Sequence, residues 1–470
     1  MSIKRSSGTN ESERYLARLC ESTFLNLWSY PNVFTNQGQK NSGDGKELCD
    51  LLVVCGDHII LFSDKRVTFK ETGDMALDWS RWYRRAVLNS ISKLLSKEKW
   101  LNVPERLFVD SRCTQPIPVN FPKLERRQVH FIAVASGSAN QCRTYFRGGS
   151  GSLMIKPAIE ETGSDGPFVI RDVGISNHYV HVFEEITLDI VLKELNTISD
   201  FISYLSKKEK FIRSGHFLGA AGEEELLAYY LSFTDKNGEH DFIPPSRLPQ
   251  WNDHEMLSLV EGSWDDLRNS AEYREKKQAD EISHLWDDLI TKFTSHLLAG
   301  TSVVPEGDTL VVKEHERAFR YMAMEPRYHR RILSTIFYEA INRALPDKSS
   351  VRLIPPIREG YPAYVFMQCP IPQRFFSDYE SYRNQRREIL YAYCLVFKMK
   401  YPQYDRIIGI ASEPPRFNMD NSISEDLILF ELNGWTDKYE EEAKKIINHY
   451  KIDAGSLTNS TIDIHKYSVE

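Results

Sequence analysis

Two runs rich in apolar residues, Leu48 to Cys55 and His58 to Phe69, stand on either side of Gly56-Asp57. A two-residue loop of this kind ties flanking strands into an antiparallel hairpin. The register follows from the loop: Cys55 falls opposite His58, Asp50 opposite Ser63 and Leu48 opposite Lys65. Side chains alternate between sheet faces, and cross-strand partners share a face. Asp50, Ser63 and Lys65 are therefore expected on one face, with Asp64 and Cys49 on the other. A bulge just before residue 64 would reverse that parity and bring Asp64 to Asp50. Glu47 sits just ahead of the strand, where the chain can curl toward Asp50. An acid and a lysine inside such strands demand a reason, because burying unpaired charge is expensive.

The flanks of the hairpin complete an order of elements. Glu11 to Trp28 predicts an amphipathic helix with Tyr15, Leu16, Leu19, Phe24, Leu27 and Trp28 apolar, ended by Pro31. Asn32 to Asn36 is a short candidate strand. Asp78 to Lys97 is again helical in pattern, with Trp82, Ala86, Val87, Ile91, Leu94 and Leu95 on one side. Arg106 to Asp110 closes with a further short strand. The reading is α-β-β-β-α-β over about the first 115 residues.

At 470 residues, with roughly 100–200 per domain, the chain is expected to hold several domains. We place boundaries at 115, 245 and 310. Gln37 to Gly45, Gly148 to Gly151 and Thr162 to Pro167 are loop-like, and Ile243 to Trp251 and Val303 to Val312 resemble connectors. Residues 116–245 look α+β, with strands at Gln128 to Val134, Ser152 to Ile155, Phe168 to Ile170 and Tyr179 to Phe183, then helices at Asp189 to Ser206 and Glu223 to Phe233. Residues 246–310 are mainly helical. Residues 311–470 alternate in the manner of an α/β unit. The overall fold class is α/β plus α+β.

Composition narrows the function classes. Apolar residues make up 41%, which supplies cores and excludes a mainly disordered chain. No apolar run is long enough for a membrane span, and Met1 to Asn10 is polar, unlike a secretory signal. The seven cysteines are scattered, with no Cys-x-x-Cys pair, which points away from a disulfide framework or structural zinc and toward a cytoplasmic protein. A net charge of −7 argues against a general nucleic-acid coat while permitting a local basic groove. No phosphate-binding GxxxxGK[ST] or GxGxxG motif is present.

The stretch GKELCDLLVVCGDHIILFSDKR, within the α-β-β-β-α-β order, resembles the PD-(D/E)xK superfamily, the restriction-endonuclease-like nucleases. The resemblance covers about 100 residues and implies a metal-dependent phosphodiester hydrolase acting on DNA or RNA. It implies that Asp50 matches the metal-binding Asp and Lys65 the lysine, with Glu13 the best match for a first-helix acid and Glu21 the second. Mg²⁺ or Mn²⁺ would be the cofactor. Asp50, Glu47 and Glu13 are the candidate metal residues, consistent with the hard oxygen ligands such ions take. The family places an acid two residues before the lysine, where this chain has Ser63. Ser63 acting through water, Asp64 brought in by a bulge, or Glu47 as second carboxylate would each restore a site. Otherwise the fold is catalytically inactive and serves as a nucleic-acid- or protein-binding module. The architecture further suggests, by analogy, an effector of a bacterial anti-phage or restriction system with an activating or targeting protein partner, no membrane association, and dimerisation open.

Arg81, Arg84 and Arg85 follow the hairpin. Arg81 and Arg85, spaced i, i+4, share a helix face that could meet backbone phosphate, or simply be solvated. Arg327, Arg330 and Arg331, and Arg383, Arg386 and Arg387, lie near aromatics and form a second candidate strand-binding surface. His178 and His181, three apart on a strand, would face opposite sides and make a poor metal pair. Cys49 and Cys55 read as core residues. Glu223 to Glu225 read as the acidic start of a helix.

Overall fold

The hairpin forms as its turn signal predicts. The computed structural model describes residues 3, 5–158, 166–173, 178–235, 237–243, 256–302, 311–343, 348–414, 424–432 and 434–452. Helix α1 (Glu11–Trp28) leads into an antiparallel meander of β1 (Ser29–Thr35), β2 (Lys46–Cys55) and β3 (His58–Arg66). Cys55 lies opposite His58, and the pairing runs to Leu51 opposite Phe62. Gly56 has φ +61°, which glycine adopts without a Cβ clash. Asn10 caps α1, its side chain accepting the Glu13 N–H at 2.9 Å. Leu16, Leu19, Phe24, Leu27 and Trp28 are buried as the periodicity predicts. Tyr15 is not: it is exposed, and its hydroxyl donates to Asp189. Pro31 does not stop the helix but sits inside β1 opposite Leu51. Beyond β1, β4 (Leu107–Phe108) covers no more of that strand than Phe34 and Thr35. At Pro31, β1 is thus an edge strand and tolerates a residue without an N–H.

The strand that closes the core differs from expectation. Only Leu107–Phe108 of the predicted Arg106 to Asp110 strand forms, antiparallel to β1. The parallel partner of β3 is instead β5 (Gln128–Ser136), paired from His58↔Gln128 to Arg66↔Ser136 without a register shift. After β6 (Met154–Lys156) and β7 (Val169–Arg171), β8 (Val180–Phe183) joins β5 in parallel. The sheet runs β4-β1-β2-β3-β5-β8. A parallel neighbour requires a crossover of a dozen residues or more. Here Met75–Tyr83, a π-helical turn Arg84–Leu88, Asn89–Lys97 and the segment after it supply that crossover, and Asn89–Lys97 packs on β3 and β5. Phe24 of α1 meets Phe62 of β3 and Phe201 of helix Ile198–Ile212 at ring distances of 6.1 and 5.3 Å.

The expected division at 115 therefore cuts through one sheet. The chain forms two units, Met1–Gln278 with Thr291–Ser302, and Ala279–Ile290 with Val303–Glu470. The boundary at 245 also falls inside the first unit, and the helical stretch 246–310 is shared between units rather than forming its own. The stretches at Thr162 to Pro167, Ile243 to Trp251 and Val303 to Val312 lie largely outside the described residues.

The first unit carries a second sheet, in which β9 (Phe217–Ala220) and β10 (Leu257–Leu259) continue the order β10-β9-β6-β7. The predicted helix from Asp189 to Ser206 is two helices, Glu185–Glu194 and Ile198–Ile212, because Thr197 caps the second by accepting the Asp200 N–H. Helix Glu223–Leu231 starts at its acidic run, but all three glutamates are buried and individually engaged. Glu223 accepts from Tyr204 and Lys208, Glu224 from Ser150 and Ser152, and Glu225 from the Gly262 and Trp264 amides. The reading of this run as merely dipole-favoured was incomplete.

The second unit contains β11 (Ser350–Ile354), β12 (Ala363–Gln368), β13 (Arg406–Ser412) and β14 (Glu425–Glu431) in chain order across a mixed sheet, with β12 and β13 parallel. Arg327, Arg330, Arg331 and Arg386 are buried. Arg327 and Arg330 converge on Asp287 at 2.7 and 2.5 Å, and Arg331 reaches Asp280 at 3.1 Å. Arg383 and Arg386 bind Asp426 at 2.5 and 2.6 Å, and Arg387 donates to Asn384. At five of these six arginines the expected strand-binding surface is replaced by ion pairs to Asp287, Asp280 and Asp426, and Arg387 alone stays at the surface beside Asn384.

Candidate active site at the open end of the hairpin

Asp50 lies one residue beyond the last β2–β3 pair, Leu51↔Phe62. In a continued ladder the Asp64 amide would turn to the β2 backbone. Instead it donates to the Asp50 carboxylate at 2.5 Å. A side chain thus takes the place of a backbone acceptor where the two strands part. β3 carries no bulge against β5, so Asp64 keeps its own face. Phe62 and Asp64, alternate residues of β3, both meet α1, the first at Phe24 and the second at Ser12, whose hydroxyl donates to Asp64. Ser63 is buried and, with Lys65, belongs to the opposite pleat. The bulge that would have reversed Asp64 is absent; Asp50 reaches across to the β3 backbone instead.

The irregularity sits one strand away. Between β1 and β2 the register shifts between Val33 and Phe34, so that Val33 faces Cys49 but Phe34 faces Glu47, leaving Leu48 as the extra residue. This brings Glu47 into the strand as an exposed member of the acidic group. Opposite Asp50, Asn32 adopts φ +50° and is buried at 1% exposure. Its amide nitrogen donates to Glu13 Oε2 at 3.0 Å and to Glu47 Oε1 at 2.9 Å. Lys97 donates to the Glu47 carbonyl at 3.0 Å.

The electrostatics follow from this crowding. Burial pushes the Asp50 carboxyl up to about 6; the Asp64 amide and the Lys65 charge work against the rise, and the charges of Glu47 and Glu13 add to it. Burial also raises Asp64, opposed by the Ser12 hydrogen bond and Lys65. Lys65 therefore acts on both aspartates. For Glu13, burial pulls upward but hydrogen bonds from Thr9, Asn32 and Asn10 win and hold it below the usual carboxylate range.

Asp50 thus meets the Asp64 backbone directly and feels the charges of Lys65, Glu47 and Glu13, while Lys65 shares the pleat of Ser63, opposite the Asp64 side chain. Glu21 does not join them and pairs with Arg5 at 3.0 Å. Arg81, Arg84 and Arg85 are exposed. Their expected common face is altered, because the turn from Arg84 to Leu88 is π-helical and changes the i, i+4 spacing. Arg81 does act on Asp78, whose carboxyl is held low first by the Thr72 amide. His178 pairs with Glu98 at 2.9 Å, while His181 is buried between Tyr179 and Phe183. Cys49 is a core residue whose thiol burial raises well above its ordinary value. Asn32, Ser12 and Lys97 had no motif to announce them; the one available signal was an Asn just after Pro31, inside β1.

Among the described residues, no three His, Cys, Asp or Glu side chains form a ready metal-binding group. Mg²⁺, however, uses one or two carboxylates and keeps several waters. Asp64 Oδ1 is buried and takes no hydrogen bond, an orphaned anionic oxygen of the kind a hard cation satisfies. The free Asp64 oxygen, the Asp50 carboxylate beside the Asp64 amide and the exposed Glu47 are donors of the hard-oxygen kind such an ion takes. No protein-family model, curated protein or solved structure matches this chain.

Proposed function

We propose that the first unit is a metal-dependent nuclease of the restriction-endonuclease-like kind. The observation that carries this reading is the Asp50–Asp64 junction: where an otherwise apolar hairpin opens, the Asp64 backbone amide donates to the Asp50 carboxylate, and the charge of Lys65 acts on both aspartates. The order of α1, β1, β2, β3, a helical crossover and parallel β5 supports it. Asp50 and Asp64 would hold Mg²⁺ or Mn²⁺, and Glu47 would be an outer carboxylate. When bound there, such an ion would supply Lewis acidity toward water and phosphate oxygen. Lys65 orients the attacking water and offsets charge developing at phosphorus. Asp64, adjacent in sequence to the position where Ser63 stands, provides the second acid from the α1 side of the sheet. The rest of the chain would select the target or receive an activating protein.

The test uses purified full-length chain with supercoiled plasmid, single-stranded DNA and RNA, each with Mg²⁺ or Mn²⁺. Metal-dependent cutting lost in both Asp50→Ala and Lys65→Ala supports the proposal; cutting that survives Asp50→Ala overturns it. Ser63 favours one rival, a non-catalytic binding module. That rival predicts salt-dependent nucleic-acid or protein binding that ignores Mn²⁺.

A further inference from the structure

Resting on that reading, we infer that Glu13 is a positioning residue that acts on Glu47 through Asn32, and that it does not itself hold the metal. The Glu13 carboxylate is engaged by four donors. Oε2 accepts the Thr9 amide at 2.8 Å, the Thr9 hydroxyl at 2.5 Å and the Asn32 amide at 3.0 Å, and Oε1 accepts from Asn10 at 2.6 Å. Four donors leave little lone-pair capacity on a carboxylate for a cation. Asn10 is also the cap of α1, so the same contacts anchor Glu13 to the first helical turn.

Asn32 is the link. Two carboxylate oxygens face one end of its side chain, and ionised carboxylates only accept, so that end is the NH₂. Its Oδ1 accepts the Ser6 hydroxyl at 2.8 Å, which fixes the same orientation from the other side. The two amide protons are divided between Glu13 and Glu47. Glu47 is exposed, and the amide ties one of its oxygens to the buried frame and leaves the other for a ligand. The left-handed backbone at Asn32 is one that asparagine tolerates better than most residues. Ser6, Thr9, Asn10, Glu13 and Asn32 thus form a hydrogen-bonded chain ending on Glu47.

The experiment is a double-mutant cycle on the full-length chain, read by Mn²⁺ affinity in calorimetry without nucleic acid, with thermal melts to confirm folding. Asn32→Gly removes the amide and keeps the backbone conformation cheap. Glu13→Gln keeps shape and removes charge. Each single change is expected to weaken Mn²⁺ binding about 10-fold, the lower end of the loss seen when a group supporting a metal ligand is removed. The double variant is expected to be no weaker than Asn32→Gly alone, since both act through one contact. Multiplying losses, or unchanged affinity in Asn32→Gly, overturn the inference, the former by making Glu13 a ligand in its own right. Asp50→Asn is the control for the underlying reading. If it leaves Mn²⁺ affinity unchanged, or if the wild-type chain binds no Mn²⁺, the nuclease proposal fails and this inference with it.

Discussion

Asp50 places a cost on the fold that a single substitution reveals. Its carboxyl sits at about 6 in the folded chain, against 3.8 ordinarily, chiefly because it is buried. The folded state therefore holds the proton more tightly than the unfolded state. The associated stability is complete below pH 3.8 and is lost as pH rises through about 6. A shift of this size is worth about 3 kcal/mol at 1.36 kcal/mol per unit. Asp50→Asn keeps an acceptor for the Asp64 amide and removes the charge. The variant should be more stable than wild type by up to about 3 kcal/mol at pH 8, with the difference fading toward pH 4. Urea midpoints of both proteins, at half-unit pH steps from 4 to 8 in metal-free buffer, measure it. A variant destabilised by the same amount at every pH would refute the reasoning, because Asp50 would then contribute a contact and not a buried charge. Mn²⁺ at pH 8 should narrow the gap by stabilising wild type alone.

Three further outcomes are expected. Lys208 and Glu223 form an ion pair with exposures of 1% and 2%, so Lys208→Met should cost about 3–5 kcal/mol, and the double change Lys208→Met/Glu223→Gln should recover part of it, as read by urea melts. Arg386, fully buried against Asp426, should behave likewise: Arg386→Met should lower the melting transition of the second unit by a comparable energy and leave Mn²⁺ affinity untouched. Arg84→Ala/Arg85→Ala should weaken nucleic-acid binding about equally for all sequences and flatten its salt dependence, with no change in thermal stability, because both side chains are exposed.

The hairpin was legible because its signals are local: a Gly-containing turn sets the register, and register assigns faces. The same logic singled out Asp50 and Lys65 and named Asp64 and Glu47 as the acids to watch, but the pairings it expected for Asp50 with Ser63 and Leu48 with Lys65 lie beyond the end of the ladder. It failed on how they meet. Alternation alone cannot show that a strand pair stops at Leu51 and Phe62 and that a carboxylate then takes over a backbone role. Nor can it show an extra residue at Leu48. The fourth core strand was misassigned to Arg106–Asp110 because that segment comes first after the helix, whereas the choice of Gln128–Ser136 depends on which strand lies parallel to β3, a non-local matter. The arginines of the second unit misled for a similar reason. A guanidinium beside aromatics looks the same in sequence whether it faces solvent or an aspartate some forty residues away.

The first unit is assembled from two separated pieces of chain, and this bears on how it is made. Residues 291–302 return to it, and there Asn26 in the last turns of α1 binds Ser295 and Thr294 at 3.0 and 2.8 Å, while the Ile3 amide donates to the Leu298 carbonyl at 3.1 Å. During synthesis the amino-terminal sheet emerges from the ribosome well before the segment that pins the helix bearing Glu13. Expression fragments ending after β5, or at residue 278, would carry the whole acidic cluster yet leave that helix without its clasp. Any cut ahead of residue 291 removes the contacts that Ser295, Thr294 and Leu298 make to Asn26 and Ile3.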